Sequence, residues 1–206
     1  MFFNNGKKEK EQLEKRVVEL ETEIEHLKDD LIHDPMTGLK TKGFFEEECS
    51  LCLSILENRE SSSRKENSGF KNLSLIFFDL DFFKTVNDTY GHQKGDVALI
   101  ETARTIAENF RDEDTVARWG GEEFVVLLLG AGEEDAKRKA NEVRERIGEM
   151  SFDFDRKLKL TTSAGVASAS GGMGYDELLK RADEALYKAK STGRDRVVAY
   201  SEMGSA

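Results

Sequence analysis

Residues 73–84 read LSLIFFDLDFFK, a mainly apolar segment whose end carries the alternating carboxylates Asp79 and Asp81. A short apolar segment of this kind is typical of a buried strand, and a strand is predicted over 73–80. The segments that follow are predicted as a helix over 96–110, strands over 115–119 and 124–129, a helix over 133–147 and a strand over 158–167. This βαββαβ order predicts an α+β, ferredoxin-like core, an antiparallel sheet with helices on one face and one rim left for chemistry.

Further elements are predicted on both sides of this core. They are a helix over 41–57, a solvated loop over 58–72, a helix over 175–190, a strand over 196–200 and an unstructured tail over 201–206. The only proline, Pro35, lies in a turn at 34–39 that ends an N-terminal helix. The chain therefore divides into a helix over 1–33, a globular domain over 34–200 and the tail.

The N-terminal helix carries a narrow apolar seam. Its members follow one another at intervals of four and three residues: Leu13, Val17, Leu20, Ile24, Leu27 and Leu31. With Val17 and Ile24 at position a and Leu20 and Leu27 at position d, the heptad favours a parallel two-stranded coiled coil, and hence a homodimer. The alternative is a single amphipathic helix packed on its own domain.

The composition excludes several classes of protein. The chain has 206 residues with Lys plus Arg 31 and Asp plus Glu 41, so the formal net charge is −10, which opposes nonspecific binding to nucleic acid. No segment is long and apolar enough for a membrane span or a signal peptide, which predicts a cytoplasmic chain without a membrane segment. The two cysteines, Cys49 and Cys52, are too few for a structural zinc site. Their helical surroundings favour small apolar side chains in the core over a redox pair.

Acidic residues are predicted to gather at the rim of the sheet. Alternation along the strand puts Asp79 and Asp81 on the same side, where their oxygens can converge on a hard cation such as Mg²⁺. The glycines Gly120 and Gly121 predict a tight hairpin that brings Glu122 toward the same point. The alternatives are that the aspartates merely cap the next helix and that the hairpin is a solvated turn.

A polar segment after the first strand carries groups that can recognise a base. Asn87, His92 and Asp96 lie within ten residues and offer hydrogen-bond donors and acceptors. A carboxylate such as Asp96 can accept two hydrogen bonds from the N1–H and N2–H₂ edge of guanine, which adenine cannot donate. His92 by itself would more often be structural.

Together these motifs resemble the GGDEF family of diguanylate cyclases. The matching segments, in family order, are DPMTGL at 34–39, FDLDFFK at 78–84, ND at 87–88, GH at 91–92, GD at 95–96, GGEEF at 120–124, TSAGV at 162–166, ADEALYKAK at 182–190 and GR at 193–194. The sequence departs from the family in three places. Thr41-Lys42-Gly43 stands where Asn-Arg-Arg is usual, the 58–72 loop looks longer than typical, and Glu122 replaces the Asp of the family's name.

The resemblance implies a metal-dependent homodimer that condenses two GTP into cyclic di-GMP and two pyrophosphates. By the family pattern, Mg²⁺ or Mn²⁺ would be bound by Asp79, the carbonyl of Leu80 and Glu122. Glu122 and Glu123 would be the catalytic carboxylates, with Glu122 a candidate base for the ribose 3′-hydroxyl. The substrate-binding residues implied are Phe82, Phe83, Lys84, Asn87, His92, Asp96, Lys190 and Arg194.

The resemblance also implies product inhibition. Arg111 and Asp114 match the family's R-x-x-D site for cyclic di-GMP, and the alternative is an ordinary charged turn. A second arginine usually completes this site, and the sequence leaves Arg138 and Arg144 open. Two rival functions remain at this point: a catalytically inactive domain that binds GTP or cyclic di-GMP, and a nucleotide cyclase that uses ATP or mixed substrates.

Overall fold

The strand predicted first, β2 (Leu73–Leu80), lies inside a six-stranded sheet. The computed structural model describes residues 3–61 and 70–204. Its elements are α1 (Phe3–Ile32), β1 (Lys40–Thr41), α2 (Lys42–Ser61), β2, α3 (Phe83–Tyr90), α4 (His92–Ala107), β3 (Thr115–Gly120), β4 (Glu123–Leu129), α5 (Glu133–Glu149), β5 (Thr162–Ser168), α6 (Tyr175–Ser191), β6 (Val197–Ala199) and a 3₁₀ turn (Tyr200–Gly204).

The strand order in the sheet is β1-β3-β4-β2-β5-β6, and the four central strands have the predicted ferredoxin-like arrangement. β2 pairs antiparallel with β4 on one side and with β5 on the other, and β3 pairs antiparallel with β4. The edge strands β1 and β6 pair parallel with β3 and β5. The α+β fold class predicted from the sequence is therefore confirmed, and the edge strands extend the core that was predicted.

The prediction that helices cover one face of the sheet is wrong, because both faces carry helices. Alternate side chains of β2, such as Ile76 and Phe78, pack with α3, α4 and α5. The opposite side chains, such as Leu75 and Phe77, pack with α2 and α6. A strand that is apolar at nearly every position requires cover on both faces, and β2 is buried along its whole length.

Several predicted boundaries are corrected by the structure. An additional helix, α3, occupies 83–90, and α4 begins at His92 instead of 96 and ends at Ala107. β5 begins at Thr162 instead of 158, and α2 continues to Ser61, into the predicted loop, of which residues 62–69 lie outside the described part. Residues 201–204 belong to a 3₁₀ turn instead of an unstructured tail; 205 and 206 are outside the described residues.

The helix α1 is continuous from Phe3 to Ile32. The seam residues whose side chains the structure describes are exposed to 41% or more: Leu13, Val17, Leu20, Leu27 and Leu31. These side chains are therefore not buried against the helix's own domain, as the alternative to a coiled coil would require.

The two cysteines lie on α2 and face the core. Both are free and buried, and burial raises the pKa of the Cys49 thiol to about 12 and that of Cys52 to about 11. A thiol with so high a pKa is protonated at neutral pH and is a poor nucleophile. The interpretation of the C-x-x-C pair as small apolar core residues is confirmed.

Candidate active site

The carboxylates expected at the rim come from two adjacent strands. Asp79, the second-last residue of β2, lies opposite Glu123 at the start of β4. The backbone N–H of Leu80 donates to the carbonyl of Glu122 at 3.3 Å, which fixes the hairpin against the end of β2. The pairing of β3 with β4 shifts register between Arg118 and Gly120, so the ladder is interrupted just before these acids.

These carboxylates influence one another's protonation. Burial and, to a smaller extent, the charge of Asp79 raise the pKa of Glu122 and of Glu123. Burial also raises the pKa of Asp79, against the opposing effect of a hydrogen bond from Lys190. The rim is therefore a partly desolvated cluster of like charges, which a cation would stabilise.

Lysine and arginine side chains reach this cluster from the C-terminal part of the chain. The Nζ atom of Lys190, on the last turn of α6, lies 2.7 Å from Oδ2 of Asp79. The guanidinium of Arg194, in the loop after α6, lies 4.5 Å from the ring centroid of Phe82 and lowers the pKa of Asp79 somewhat by its charge. The structure thus brings together Asp79, Lys190 and Arg194 from segments more than 100 residues apart.

The residues expected to bind phosphate follow directly at the beginning of α3. Phe82 precedes the helix with φ 57°, in the left-handed region, and its side chain is 64% exposed. Phe83 is buried in the core and Lys84 is exposed. The N–H groups in the first turn of a helix have no partner within the helix and favour anions, which suits backbone contacts from Phe82 and Phe83.

The three residues expected to recognise guanine lie on α3 and α4, around the turn at Gly91. His92 and Asp96 are exposed and four residues apart on one face of α4, and Asn87 is half-buried on α3. The Asn87 side chain packs on Gly95, where an added Cβ atom would lie 1.8 Å from its Oδ1 atom. The absence of a side chain at Gly95 therefore makes room for Asn87.

The R-x-x-D residues line a separate cavity of about 600 Å³, formed by the segment after α4, the end of β4 and α5. Arg138 lies in this cavity with Arg111 and Asp114, whereas Arg144 donates to Asp195 at 2.7 Å, elsewhere on the molecule. The carboxylate of Asp114 accepts backbone hydrogen bonds from Arg111 and from β4. Of the two arginines that the sequence left open, only Arg138 lines this cavity, and a further arginine, Arg146, lines it as well.

The structure gives Asp81 hydrogen-bond partners that the sequence did not predict. β2 ends at Leu80, and both oxygens of the Asp81 carboxylate accept hydrogen bonds within the fold. Their donors are the hydroxyls of Thr161 and Ser163 and the backbone N–H of Asp195.

Sequence reasoning also missed a structural link to the hairpin. Arg118 contacts Asp34 at 3.1 Å, and its Nε and Nη2 atoms donate to the carbonyl of Gly121 at 3.2 and 2.9 Å. Hydrogen bonds from Thr37 and Arg118 outweigh the effect of burial and lower the pKa of Asp34. The only sequence signal for this link was that Asp34 lies in one family motif and Arg118 lies two residues before another.

The donor set at the rim fits a hard divalent cation in its chemistry. Carboxylate and carbonyl oxygens from Asp79, Leu80 and Glu122 are the ligands that Mg²⁺ and Mn²⁺ prefer, and the raised pKa values mark negative charge that lacks full compensation. Lys190 supplies part of that compensation. Within the described ranges, no three His, Cys, Asp or Glu side chains are arranged to hold a metal ion.

No helix in the described part of the chain has the length and apolar character to span a membrane.

Comparison with known proteins finds one matching family model and several similar proteins. The model of the family "Diguanylate cyclase, GGDEF domain" matches residues 31–196. The chain is 40% identical over 166 residues to diguanylate cyclase A of Treponema denticola, covering 80% of this chain and 43% of that protein. It is 38% identical over 180 residues to diguanylate cyclase DgcM of Escherichia coli K12, covering 87% and 40%. The chain thus spans about two fifths of the length of these curated relatives.

Solved structures agree with the sequence comparison. The coiled coil and GGDEF domain of DgcB from Caulobacter crescentus, in complex with c-di-GMP, has a TM-score of 0.81 and 26% identity, covering 91% of this chain and 95% of that chain. The active GGEEF domain of a diguanylate cyclase from Vibrio cholerae has a TM-score of 0.68 and 30% identity, covering 78% and 96%.

Proposed function

The chain belongs to the GGDEF family of diguanylate cyclase domains, and on this premise we propose that it condenses two molecules of GTP into cyclic di-GMP. The observation that carries the proposal is the gathering of Asp79, Glu122 and Glu123 with Lys190 and Arg194 at one rim of the sheet. A catalytically inactive relative is expected to lack one or more of these groups, and all are present.

In this proposal each GTP is held at its two ends. Asn87, His92 and Asp96 contact the guanine and the sugar, and Asp96 accepts from the N1–H and N2–H₂ edge. The triphosphate is held by residues that share cationic or backbone N–H donors: Phe82, Phe83, Lys84, Lys190 and Arg194. The exposure of His92, Asp96 and Lys84 leaves these groups accessible to a substrate.

The chemistry is attack of a ribose 3′-oxygen on the α-phosphorus of the other GTP, with pyrophosphate as the leaving group. Glu122 is placed to accept the 3′-hydroxyl proton, with Glu123 as the second catalytic carboxylate, and their raised pKa values favour proton acceptance. Mg²⁺ or Mn²⁺, held by Asp79, the Leu80 carbonyl and Glu122, would neutralise phosphate charge. Lys190 and Arg194 balance the charge on the leaving group.

The enzyme is proposed to act as a homodimer held by residues 1–33, with residues 34–200 as the catalytic domain. Each domain contributes one GTP, so the two sites must face each other. The exposed seam of α1 supports this arrangement because five of its apolar side chains, including Val17 and Leu20, lack cover from their own domain. A coiled coil would bury them and raise the effective concentration of the two domains.

Product inhibition is proposed to act through Arg111 and Asp114. The cavity of about 600 Å³ supports it, since Arg138 and Arg146 add guanidinium groups there for the phosphate or guanine of cyclic di-GMP. Arg111→Ala or Arg138→Ala is expected to raise the cyclic di-GMP concentration for half-inhibition at least tenfold. Arg104→Ala, an exposed arginine on α4, is the control and should leave that concentration unchanged.

The direct test of the function is incubation of the chain with Mg²⁺ and GTP, or with ATP, followed by chromatography of the products. Cyclic di-GMP from GTP alone is expected. Lys190→Met should lower its formation about a hundredfold, whereas Lys180→Met, on an exposed face of the same helix, should not. Absence of any cyclic dinucleotide from a verified dimer would contradict the proposal, and a product from ATP would favour another nucleotide cyclase.

The dimer is tested with a seam variant in the full chain. Leu20→Glu puts a charge at position d and should give a monomer in light scattering, with activity lost at low protein concentration. Lys15→Glu introduces the same residue at the outward position f and should remain dimeric. Equal activity of both variants at low concentration would refute a role for the coil.

A further inference from the structure

The loop after α6 has an unusual backbone. Among the described residues, three that are not glycine have a positive φ: Phe82, Arg194 and Asp195, at 57°, 61° and 44°. Arg194 and Asp195 are consecutive, and the guanidinium of Arg194 lies over the ring of Phe82. All three strained residues therefore lie at one place, beside the proposed phosphate subsite. Residues other than glycine adopt this backbone conformation only where the surrounding structure enforces it.

The buried carboxylate of Asp81 provides one enforcing contact. Its Oδ2 atom accepts the backbone N–H of Asp195 at 3.0 Å and the hydroxyl of Thr161 at 2.9 Å. Its Oδ1 atom accepts the hydroxyl of Ser163 at 2.7 Å. Asp81 is only 5% exposed, so these hydrogen bonds are shielded from water. The carboxylate thus ties the loop to the end of β2 and to the start of β5.

Two further contacts hold the same loop. Arg144 on α5 donates to the carboxylate of Asp195 at 2.7 Å, and Arg196 donates through its Nε atom to the carbonyl of Arg194 at 2.9 Å. The backbone of Arg194 and Asp195 is therefore fixed from both sides. What remains is the side chain of Arg194, which is long and would otherwise sample many rotamers.

The ring of Phe82 constrains that side chain. It is 64% exposed, so core packing does not explain an aromatic residue here, and its centroid lies 4.5 Å from the guanidinium carbon of Arg194. Phe82 directly follows Asp81 in the chain. Two consecutive residues thus act on Arg194, Asp81 on its backbone loop and Phe82 on its guanidinium.

We propose that Asp81 and the aromatic side chain of Phe82 are positioning residues that hold the Arg194 guanidinium at the subsite for the triphosphate of GTP. This inference rests on the proposed function for the identity of the ligand. It assigns Asp81 a role different from the cation ligand that its spacing from Asp79 suggests. It also gives the side chain of Phe82 a role in addition to the phosphate binding proposed for its backbone amide.

The first test compares Asp81→Ala with Asp81→Asn in the full chain. Asp81→Ala should raise the KM for GTP about tenfold, the effect of losing one well-placed charged hydrogen bond, with a smaller change in kcat. Asp81→Asn should restore most of the KM, because its amide oxygen can still accept from Asp195. Ser74→Ala, a buried hydrogen-bonded residue at the other end of β2, controls for lost stability and should leave the KM unchanged.

Double variants decide whether Asp81 acts through Arg194. In an Arg194→Ala background, Asp81→Ala should change the KM by less than about twofold, since nothing remains to position. An equal loss in both backgrounds would overturn the proposal. So would an increase in the Mg²⁺ concentration for half-maximal activity without a change in the KM for GTP, because that result would mark Asp81 as a cation ligand.

Phe82 is exposed, so substitutions of its ring test the proposal without destabilising the core. Phe82→Leu should raise the KM about two- to fivefold, and Phe82→Tyr should not, since only the aromatic face is needed. Leu51→Ala, which shortens another exposed apolar residue, is the control. An unchanged KM in Phe82→Leu would overturn the role of the ring.

Equilibrium binding of GTP by calorimetry separates this proposal from the proposed function. If the wild-type chain binds GTP but makes no cyclic di-GMP, the function fails, and the same variants still test positioning through their dissociation constants. If affinity is equal in wild type, Asp81→Ala and Phe82→Leu, the positioning proposal fails even where cyclic di-GMP is formed.

Discussion

Replacing Arg118 by alanine is predicted to loosen the hairpin between β3 and β4, which carries Glu122. Arg118 lies on β3 and contacts both oxygens of Asp34, at 3.1 and 3.2 Å, and the carbonyl of Gly121. Asp34 follows α1 within two residues, and Gly121 directly precedes Glu122. One guanidinium thus joins the end of the N-terminal helix to the turn that carries the proposed catalytic carboxylate.

The expected loss of stability follows from the partial burial of the Arg118–Asp34 pair. The Arg118 and Asp34 side chains are 15% and 20% exposed, so the pair is neither fully buried nor on the surface. An exposed ion pair contributes under about 1 kcal/mol to stability. Breaking a buried ion pair costs about 3–5 kcal/mol. We therefore expect a loss of about 2–3 kcal/mol, or a fall in Tm of roughly 5–10 °C for a chain of this size. Because the hairpin loses its anchor, kcat should fall at least about tenfold.

The assay is thermal unfolding together with GTP turnover, in a double-mutant cycle with Asp34→Asn. A coupling free energy of about 1–3 kcal/mol is expected between Arg118 and Asp34. Arg104→Ala is the matched control, since Arg104 and its partner Glu101 lie 2.6 Å apart but are 66% and 40% exposed. Its removal should cost less than about 0.5 kcal/mol.

A coupling free energy within about 0.5 kcal/mol of zero would refute this reasoning. So would an Arg118→Ala variant that loses no more stability than Arg104→Ala. Either result would mean that the Arg118–Asp34 contact behaves as a surface pair and does not tie the N-terminal helix to the hairpin.

Three further predictions concern glycines and charge. Gly95→Ala should raise the KM for GTP about tenfold, because the new Cβ atom would displace the Asn87 side chain. Gly148→Ala is the control and should leave the KM unchanged, because its Cβ atom would have no neighbour within 4 Å. Gly165→Ala should cost several kcal/mol in denaturant unfolding, since its Cβ atom would lie 2.0 Å from the backbone of α6. Glu122→Gln without divalent metal should raise Tm at pH 7, because it removes a partly buried negative charge that opposes folding. Because the pKa of Glu122 is raised in the fold, this gain should vanish as the pH falls through it, and a gain that persists in acid would contradict the reasoning.

The elements that could be predicted from the sequence are those whose own apolar pattern specifies a strand or a helix. β2 and β4 are short apolar runs, and α5 and α6 carry an apolar stripe at helical spacing, so each was located within a few residues. The site residues lie at the ends of these elements. Their approximate gathering therefore followed from topology once the βαββαβ order was recognised.

The elements that were missed depend on contacts distant in sequence. β1 has two residues, and it exists only because Lys40 and Thr41 pair with Ala117 and Arg118. The short helix α3 lies within a polar segment that was interpreted through its chemistry. The helices α2 and α6 were predicted, but their place on the second face of the sheet was not, because they flank the repeating unit.

Asp81 illustrates why periodicity fails at the end of a strand. Alternation is a property of the extended backbone, and β2 ends at Leu80, two residues before the left-handed Phe82. The change in backbone direction carries the Asp81 carboxylate to Thr161 and Ser163. These donors come from a segment some eighty residues later, so no local pattern could have distinguished a positioning residue from a cation ligand.

The electrostatics of the rim argue that its residues serve function at a cost to stability. Raised pKa values at Asp79, Glu122 and Glu123 mean that protonation would favour the folded state, so their negative charge opposes folding at neutral pH. A net charge of −10 adds to that repulsion, and Lys190 relieves only part of it. Folding alone would favour neutral side chains at these positions. Carboxylates are expected there only if the energy is recovered when a cation and a triphosphate bind, which is what the proposed reaction requires.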